Sequence, residues 1–278
     1  MRWRVSAPTT ATFAAATVSK ALEPLAVGYS SDGARGSFPY SVGWAIVTIE
    51  LVKLVVCAAA LLVQLRGAEP QQRAALVRLD GTQLARLAIP GLLLALTNWG
   101  MFAALALLDP LLYQIVIKAV IISATAALSY VLLRKQLASL QWGALLGLFL
   151  GCLLATVPDM AALSAAAAAS TVRGLWLAAA ASIAFALQAV YFELVSNEAE
   201  GEGQSVWWQS IQAGVYGVLA NVALLALFGD VLGSGAQGPA GCFGLGRAGN
   251  MAVLAVSAAD ITMNLACSEC RKTVGLGR

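Results

Sequence analysis

Asn98–Gln114 reads NWGMFAALALLDPLLYQ. It joins two apolar runs of membrane length through the turn Leu108-Asp109-Pro110. Asp109 is a good N-cap, and Pro110 suits the first helical position, where no backbone hydrogen bond is lost. The helix that follows, about residues 111–133, carries Gln114, Lys118, Thr125 and Ser129 on an otherwise apolar surface. At about 100° per residue these four fall within about 60° of one another. A polar stripe with a lysine is costly in hydrocarbon, so it is expected to face a protein cavity or a water-filled path. Lys118 lies about two turns in, too deep for simple snorkelling. A substrate or counter-ion role competes there with a structural ion pair.

The rest of the chain fits this reading. Its 278 residues are 60% hydrophobic and 11% charged, with a mean hydropathy of +0.80. A soluble domain is about 25% charged. The fold class is therefore an all-α integral membrane protein, a multi-span helical bundle in a lipid bilayer. Net charge +3 is small, and no nucleic-acid partner is expected. The absence of histidine removes Ser-His-Asp chemistry, Cys-His nucleophiles and His-ligated zinc together. No enzymatic activity, metal or cofactor is expected. Cys57 and Cys152 sit in apolar spans as buried thiols. Cys267-Ser-Glu-Cys270 has C-x-x-C spacing but no second pair. Gly244-x-Gly246-x-x-Gly249 lacks the preceding strand that a dinucleotide fingerprint needs, and reads as a flexible loop.

Eight spans are expected, at about residues 8–29, 40–65, 84–107, 111–133, 139–157, 174–196, 206–228 and 249–266. The first competes with a transit or signal peptide over about residues 1–22. Outside the spans, eleven basic residues lie on one side: Arg2, Arg4, Arg66, Arg73, Arg78, Arg86, Arg134, Lys135, Arg271, Lys272 and Arg278. Three lie on the other: Arg35, Arg173 and Arg247. That bias puts the N-terminus in the cytoplasm. The loop at about 197–204, with Glu198, Glu200 and Glu202, is the one loop on the basic side without a cation. The Ala-rich residues 161–173 divide a first helical repeat, 1–160, from a second, 174–278. Ser41-Val-Gly-Trp44 and Ser205-Val-Trp-Trp208, at matching places in the two parts, form a faint repeat. Internal repeats are a building plan of secondary transporters.

Further polar residues mark the spans. Glu50 and Lys53, at i,i+3, share a helix face and can pair. Mutual neutralisation is one reading. In the other, Lys53 meets an anionic ligand and Glu50 acts as its charge partner. Asn98 needs partners inside the membrane, from another helix or from a ligand. Tyr113 points about 100° from Gln114, as a packing aromatic or a base-stacking residue. In the seventh span Ser205, Gln209, Gln212 and Tyr216 form a second stripe within about 60°, with Ser210 off it. Two such stripes, one per part, point to a shared cavity. Hydrogen-bonding groups suit a nucleoside or sugar, and a lysine suits phosphate. Gly143, Gly147 and Gly151 are spaced for close helix packing, within the fold or in a homodimer.

Five segments carry a resemblance: Ala45–Leu54, Asn98–Gln114, Leu140-Gln-Trp142, Val190-Tyr-Phe-Glu193 and Ser205–Gln212. Together they resemble the nucleotide-sugar transporters of the drug/metabolite transporter superfamily, on the CMP-sialic acid/UDP-galactose branch. The resemblance implies ten helices in two inverted five-helix halves in a Golgi or endoplasmic reticulum membrane. It implies exchange of a cytosolic nucleotide sugar, a UDP-sugar ahead of a CMP-sugar, for a lumenal nucleoside monophosphate. Positions similar to Lys53, Asn98 and Tyr113 contact the nucleotide in the family. The family's fourth-helix lysine falls at Val120, so Lys118 stands about 160° around the helix from it. The family's seventh-helix Asn and Tyr fall at Ser210 and Gly214. A Tyr-Ala-Asp-Asn-x-x-Lys segment and the last two helices have no counterpart, so the chain is expected to be truncated at its C-terminus. The expected substrate-binding set is Lys53, Asn98, Tyr113, Gln114, Lys118, Gln209, Ser210 and Gln212. Two other functions stand beside this one: transport of another metabolite such as a sugar phosphate, or a transport-dead isoform that partners a complete transporter.

Overall fold

The computed structural model describes residues 41–229, except Lys135, Leu137 and residues 162–164. The expected spans at 8–29 and 249–266, the C-x-x-C pair and the Gly-rich loop lie outside the described residues. Seven helices are described: α1 (Val42–Gly67), α2 (Pro70–Leu76), α3 (Gly81–Leu107), α4 (Pro110–Leu132), α5 (Ser139–Ala161), α6 (Ala165–Gly201) and α7 (Val206–Phe228). No strand occurs among the described residues. Five stretches are long and apolar enough to cross a membrane: α1, α3, Leu111–Leu132, Ala167–Ala199 and α7. The chain is an all-α multi-span membrane protein.

Side-chain caps set several helix starts. Ser41 Oγ accepts from Trp44 N at 3.4 Å, and Ser205 Oγ accepts from Trp207 N at 3.2 Å. The faint Ser-Val-x-Trp repeat is thus two serine caps opening α1 and α7, each satisfying a backbone N–H that has no partner inside its helix. Asp109 Oδ1 accepts from Leu111 N at 2.9 Å and opens α4. Asp80 opens α3, accepting from Thr82 N at 3.1 Å and from Thr82 Oγ1 at 2.9 Å.

Two elements depart from expectation. The sixth span, expected at 174–196, is a 37-residue helix, Ala165–Gly201. Residues 165–173 of the expected linker are helical, because alanine is the strongest helix former and the run holds no breaker. At its other end α6 carries Glu198, which was expected in a loop. The second departure is α2, a seven-residue helix with Pro70 at its start, inside the expected loop between the second and third spans.

Contacts define the bundle. Gln64 meets Ser205, and a Cβ at Gly43 would lie 2.5 Å from Leu225 Cδ1. Helices α1 and α7 are therefore antiparallel along their length. Gln83 meets Gln204, and Trp99 meets Asn221, so α3 and α7 run parallel. Arg86 meets Glu198, and a Cβ at Gly174 would lie 3.0 Å from Leu107 Cβ, so α3 and α6 run antiparallel. Helix α4 packs on α6 through Tyr113, Val116, Ile117 and Ala178. Helix α5 leans on α4, with Tyr130 and Trp142 in an edge-to-face contact at 5.9 Å. Leucines such as Leu140, Leu146 and Leu154 are exposed along α5, as suits a helix facing lipid.

Candidate functional site

The centre of the site is the carboxylate of Glu50, 3% exposed and about a third of the way along α1. Its Oε2 accepts from Lys53 Nζ at 3.0 Å, and its Oε1 accepts from Asn98 Nδ2 of α3 at 3.1 Å. The i,i+3 spacing brings Lys53 onto the same face. The carboxylate then reaches a second helix, which the sequence does not reveal. Lys53 keeps 18% of its side chain exposed, so the cation is paired yet accessible.

Glycines bring α7 against this group. A Cβ on Gly217 would sit 3.5 Å from Glu50 Oε2. One on Gly214 would lie 2.7 Å from Leu54 Cδ2 of α1. On α3, a Cβ at Gly91 would fall 2.6 Å from the Ala213 carbonyl oxygen and 2.7 Å from Tyr216 Cβ. Gly91 follows Pro90, which interrupts the hydrogen-bond ladder of α3. Three helices thus approach one another closely beside the Glu50–Lys53 pair.

Ser205, Gln209 and Gln212 of the seventh-span stripe are buried, and Tyr216 is half-buried. Ser205 bonds Gln64 at 2.5 Å, and Gln209 Oε1 accepts from Ser196 Oγ of α6. Ser210, where the resemblance places an asparagine, is buried. Gln212, 5% exposed, has neither amide atom bonded, and Gln209 Nε2 is likewise without a partner. A buried amide left unsatisfied costs about 1–3 kcal/mol per group, and a ligand that bonds it recovers that cost.

The α4 residues fall into two places. Tyr113 is buried in the cluster of Ala104, Leu108, Val116, Ile117 and Ala178. Ala104 lies six residues beyond Asn98, about 9 Å along α3. Gln114 and Lys118 instead line a cleft of about 600 Å³ with Ile115, Ala119, Gly147, Leu148, Gly151 and Cys152. The structure brings Glu50, Lys53 and Asn98 together, and separately Gln114 and Lys118. A Cβ at Gly143, Gly147 or Gly151 would meet nothing within 4 Å. The close packing expected through that face is therefore not made within the described fold, and Gly147 and Gly151 open onto the cleft.

Sequence reasoning missed two polar links. Trp99 Nε1 donates to Asn221 Oδ1 at 3.2 Å, and Asn221 Nδ2 donates to the Gly217 carbonyl at 2.8 Å. At the basic end, Arg86 pairs with Glu198 at 2.5 Å and Arg78 with Glu202 at 3.5 Å. Gln204 Nε2 donates to the Arg78 carbonyl at 2.6 Å, and Trp208 Nε1 to the same oxygen at 3.2 Å. The acidic loop without a cation is thus matched by arginines of its neighbour. Close by, the Thr82 hydroxyl and backbone N–H hold the Asp80 carboxyl below its ordinary range.

A family model described as nucleotide-sugar transporter matches residues 9–236. The UDP-galactose translocator of Mus musculus is 30% identical over 180 residues, 62% of this chain and 44% of that protein. The UDP-N-acetylglucosamine transporter of Homo sapiens is 33% identical over 134 residues, 48% of this chain and 40% of that protein. The CMP-sialic acid transporter 1 of Oryza sativa subsp. indica is 28% identical over 152 residues, 54% of this chain and 46% of that protein. The matches span less than half the length of these curated relatives. The family match covers most of this chain, including every helix that positions Glu50, Lys53 and Asn98, and the chain belongs to the nucleotide-sugar transporter family.

Proposed function

We propose that this chain carries a nucleotide sugar into the Golgi lumen in exchange for a nucleoside monophosphate, with a UDP-sugar ahead of a CMP-sugar. One observation carries the reading: a lysine held in mid-span, paired to a buried carboxylate yet still accessible. Lys53 lies eleven residues from the start of α1, about 17 Å along it. Ionisable groups at that depth are costly and mark ligand paths. Glu50 neutralises Lys53. A ligand phosphate, with its own acceptor oxygens, takes up the remaining Lys53 N–H groups.

In this reading Asn98 and Gln212 supply hydrogen bonds, and Tyr113 supplies an aromatic face. Gln209 and Ser210 support Gln212 on α7. Gln114 and Lys118 form a second polar contact in the α4–α5 cleft. The two parts of the chain, about 1–160 and 174–278, rock about the site to expose it alternately to cytosol and lumen. The N-terminus is cytoplasmic, and the membrane is that of the Golgi ahead of the endoplasmic reticulum. The test is uptake into proteoliposomes of labelled UDP-galactose, UDP-N-acetylglucosamine and CMP-sialic acid, each competed with UMP and CMP. Competition by a free nucleoside monophosphate supports the reading. Uptake that only sugar phosphates compete with would replace it.

A further inference from the structure

We infer that the turn between α6 and α7, residues 202–205, is a latch. It clips onto the end of α2 and the segment 77–80, holds the basic end of the bundle shut, and lets go in each transport cycle. The inference rests on the transport reading above and deepens it, by assigning the contact that controls access from one side of the membrane. The turn is built as a unit. The Ala199 carbonyl of α6 accepts from Glu202 N at 3.2 Å and from Gln204 N at 3.1 Å. Gly203 lies between them with φ +84°, in the left-handed region that favours glycine. The reversal sets Gln204 and Ser205, both buried, against the α2–α3 connection.

Ser205 N donates to the Leu76 carbonyl at 3.1 Å. Among the described residues this is the one backbone hydrogen bond between segments far apart in the chain. Gln204 Nε2 donates to the Arg78 carbonyl at 2.6 Å, and Gln204 Oε1 accepts from Gln83 of α3. Trp208 Nε1 reaches the same Arg78 carbonyl at 3.2 Å. Outside these, Arg78 and Glu202, each 64% exposed, pair at the water's edge. Water can replace such bonds as the turn withdraws, so the contact can break and re-form. Helix α3 supplies a hinge. Pro90 leaves it short of one backbone hydrogen bond, and residues 81–89 before it carry Gln83 and Arg86. Swinging about Pro90 lifts them off Gln204 and Glu198 while Gly91 stays seated on Ala213. Gln64, where Ser205 Oγ meets α1, is eleven residues from Lys53, about 17 Å along the helix. The latch is thus separate from the ligand cation. Fixing it should stop alternation and leave binding intact.

Gln83→Cys/Gln204→Cys puts two thiols where the amides meet. A short bis-methanethiosulfonate linker joins them, and dithiothreitol cleaves it. Proteoliposomes loaded with UMP and CMP are offered labelled UDP-galactose, UDP-N-acetylglucosamine or CMP-sialic acid, whichever wild type carries fastest. The linked protein should take it up at least about tenfold more slowly than the same protein after cleavage. Its binding of UMP or CMP in detergent should stay within about threefold of the cleaved form. Arg78→Cys/Glu202→Cys, at two exposed side chains, gives the same test if the buried pair fails to fold. Single-cysteine variants treated alike account for the native thiols. Uptake by the linked protein equal to that after cleavage overturns the inference. So does loss of nucleotide binding together with uptake, which would place the effect at the site and not at the latch. Wild type that takes up none of the three nucleotide sugars overturns the transport reading instead.

Discussion

Glu50 and Asn98, 48 residues apart in the chain, meet at 3.1 Å between α1 and α3. The contact ties the second and third spans where α7 approaches Glu50 at Gly217. It also turns a local i,i+3 ion pair into a three-residue polar group. Inside a membrane such a group is stable only while each member keeps its partner.

Removal of Glu50 should therefore hurt more than removal of the whole pair. Glu50→Ala leaves Lys53 without its anion in a largely buried setting and should cost about 3 kcal/mol. Glu50→Ala/Lys53→Ala removes both charges and should recover part of that loss. Apparent Tm in detergent for the two variants gives the comparison. A double variant less stable than Glu50→Ala would show that the pair does not set the cost.

The glycine crossing predicts a position-specific steric effect. Gly91→Ala drives a Cβ to 2.6 Å from the Ala213 carbonyl oxygen, so α3 and α7 must part. Overpacking of this kind costs about 1–3 kcal/mol. Gly143→Ala, where a Cβ would meet nothing within 4 Å, should be neutral or slightly stabilising. Similar Tm values for the two variants would contradict the crossing.

At the basic end, buried and exposed contacts should differ in the same way. Gln204 is buried and bonds both the Arg78 carbonyl and Gln83. Gln204→Ala should cost about 1–2 kcal/mol. Arg78 and Glu202 are each 64% exposed, and Glu202→Ala should cost less than about 1 kcal/mol and less still at high salt. Thermal shifts at low and high salt check both.

Asp80 predicts a pH effect at the same end. Its carboxyl is held low by Thr82, so the folded state binds that proton less readily than the unfolded state. The resulting stability is fully present above the ordinary carboxylate range and is lost as pH falls through the lowered value. Asp80→Ala should lower Tm at neutral pH, and its difference from wild type should vanish in strong acid. A constant difference across pH would contradict the cap.

Much of this was legible in the sequence where local rules apply. Asp109-Pro110 was read correctly as a helix start because caps and proline act within one turn. The Glu50–Lys53 pair follows from helix periodicity alone. What stayed hidden depends on which helices become neighbours. Nothing local tells Asn98 to find Glu50, Trp99 to find Asn221 or Gln209 to find Ser196. The α4 stripe shows the same limit. Periodicity grouped Gln114 and Lys118 correctly, but not that they open on α5 while Tyr113 turns into the α3–α6 contact. The low complexity of residues 165–173 resembles a boundary, although an alanine run favours helix.

The most direct test of the central claim is exchange by the reconstituted chain, with and without the Lys53 cation. Proteoliposomes loaded with UMP are offered labelled UDP-galactose, and initial uptake is compared for wild type and Lys53→Ala. The account predicts wild-type uptake that internal UMP accelerates, and a loss of about tenfold or more in Lys53→Ala, as expected when a charge-assisted phosphate contact is removed. Lys53→Ala uptake equal to wild type, or wild-type uptake no greater than in protein-free vesicles for any nucleotide sugar, would contradict it.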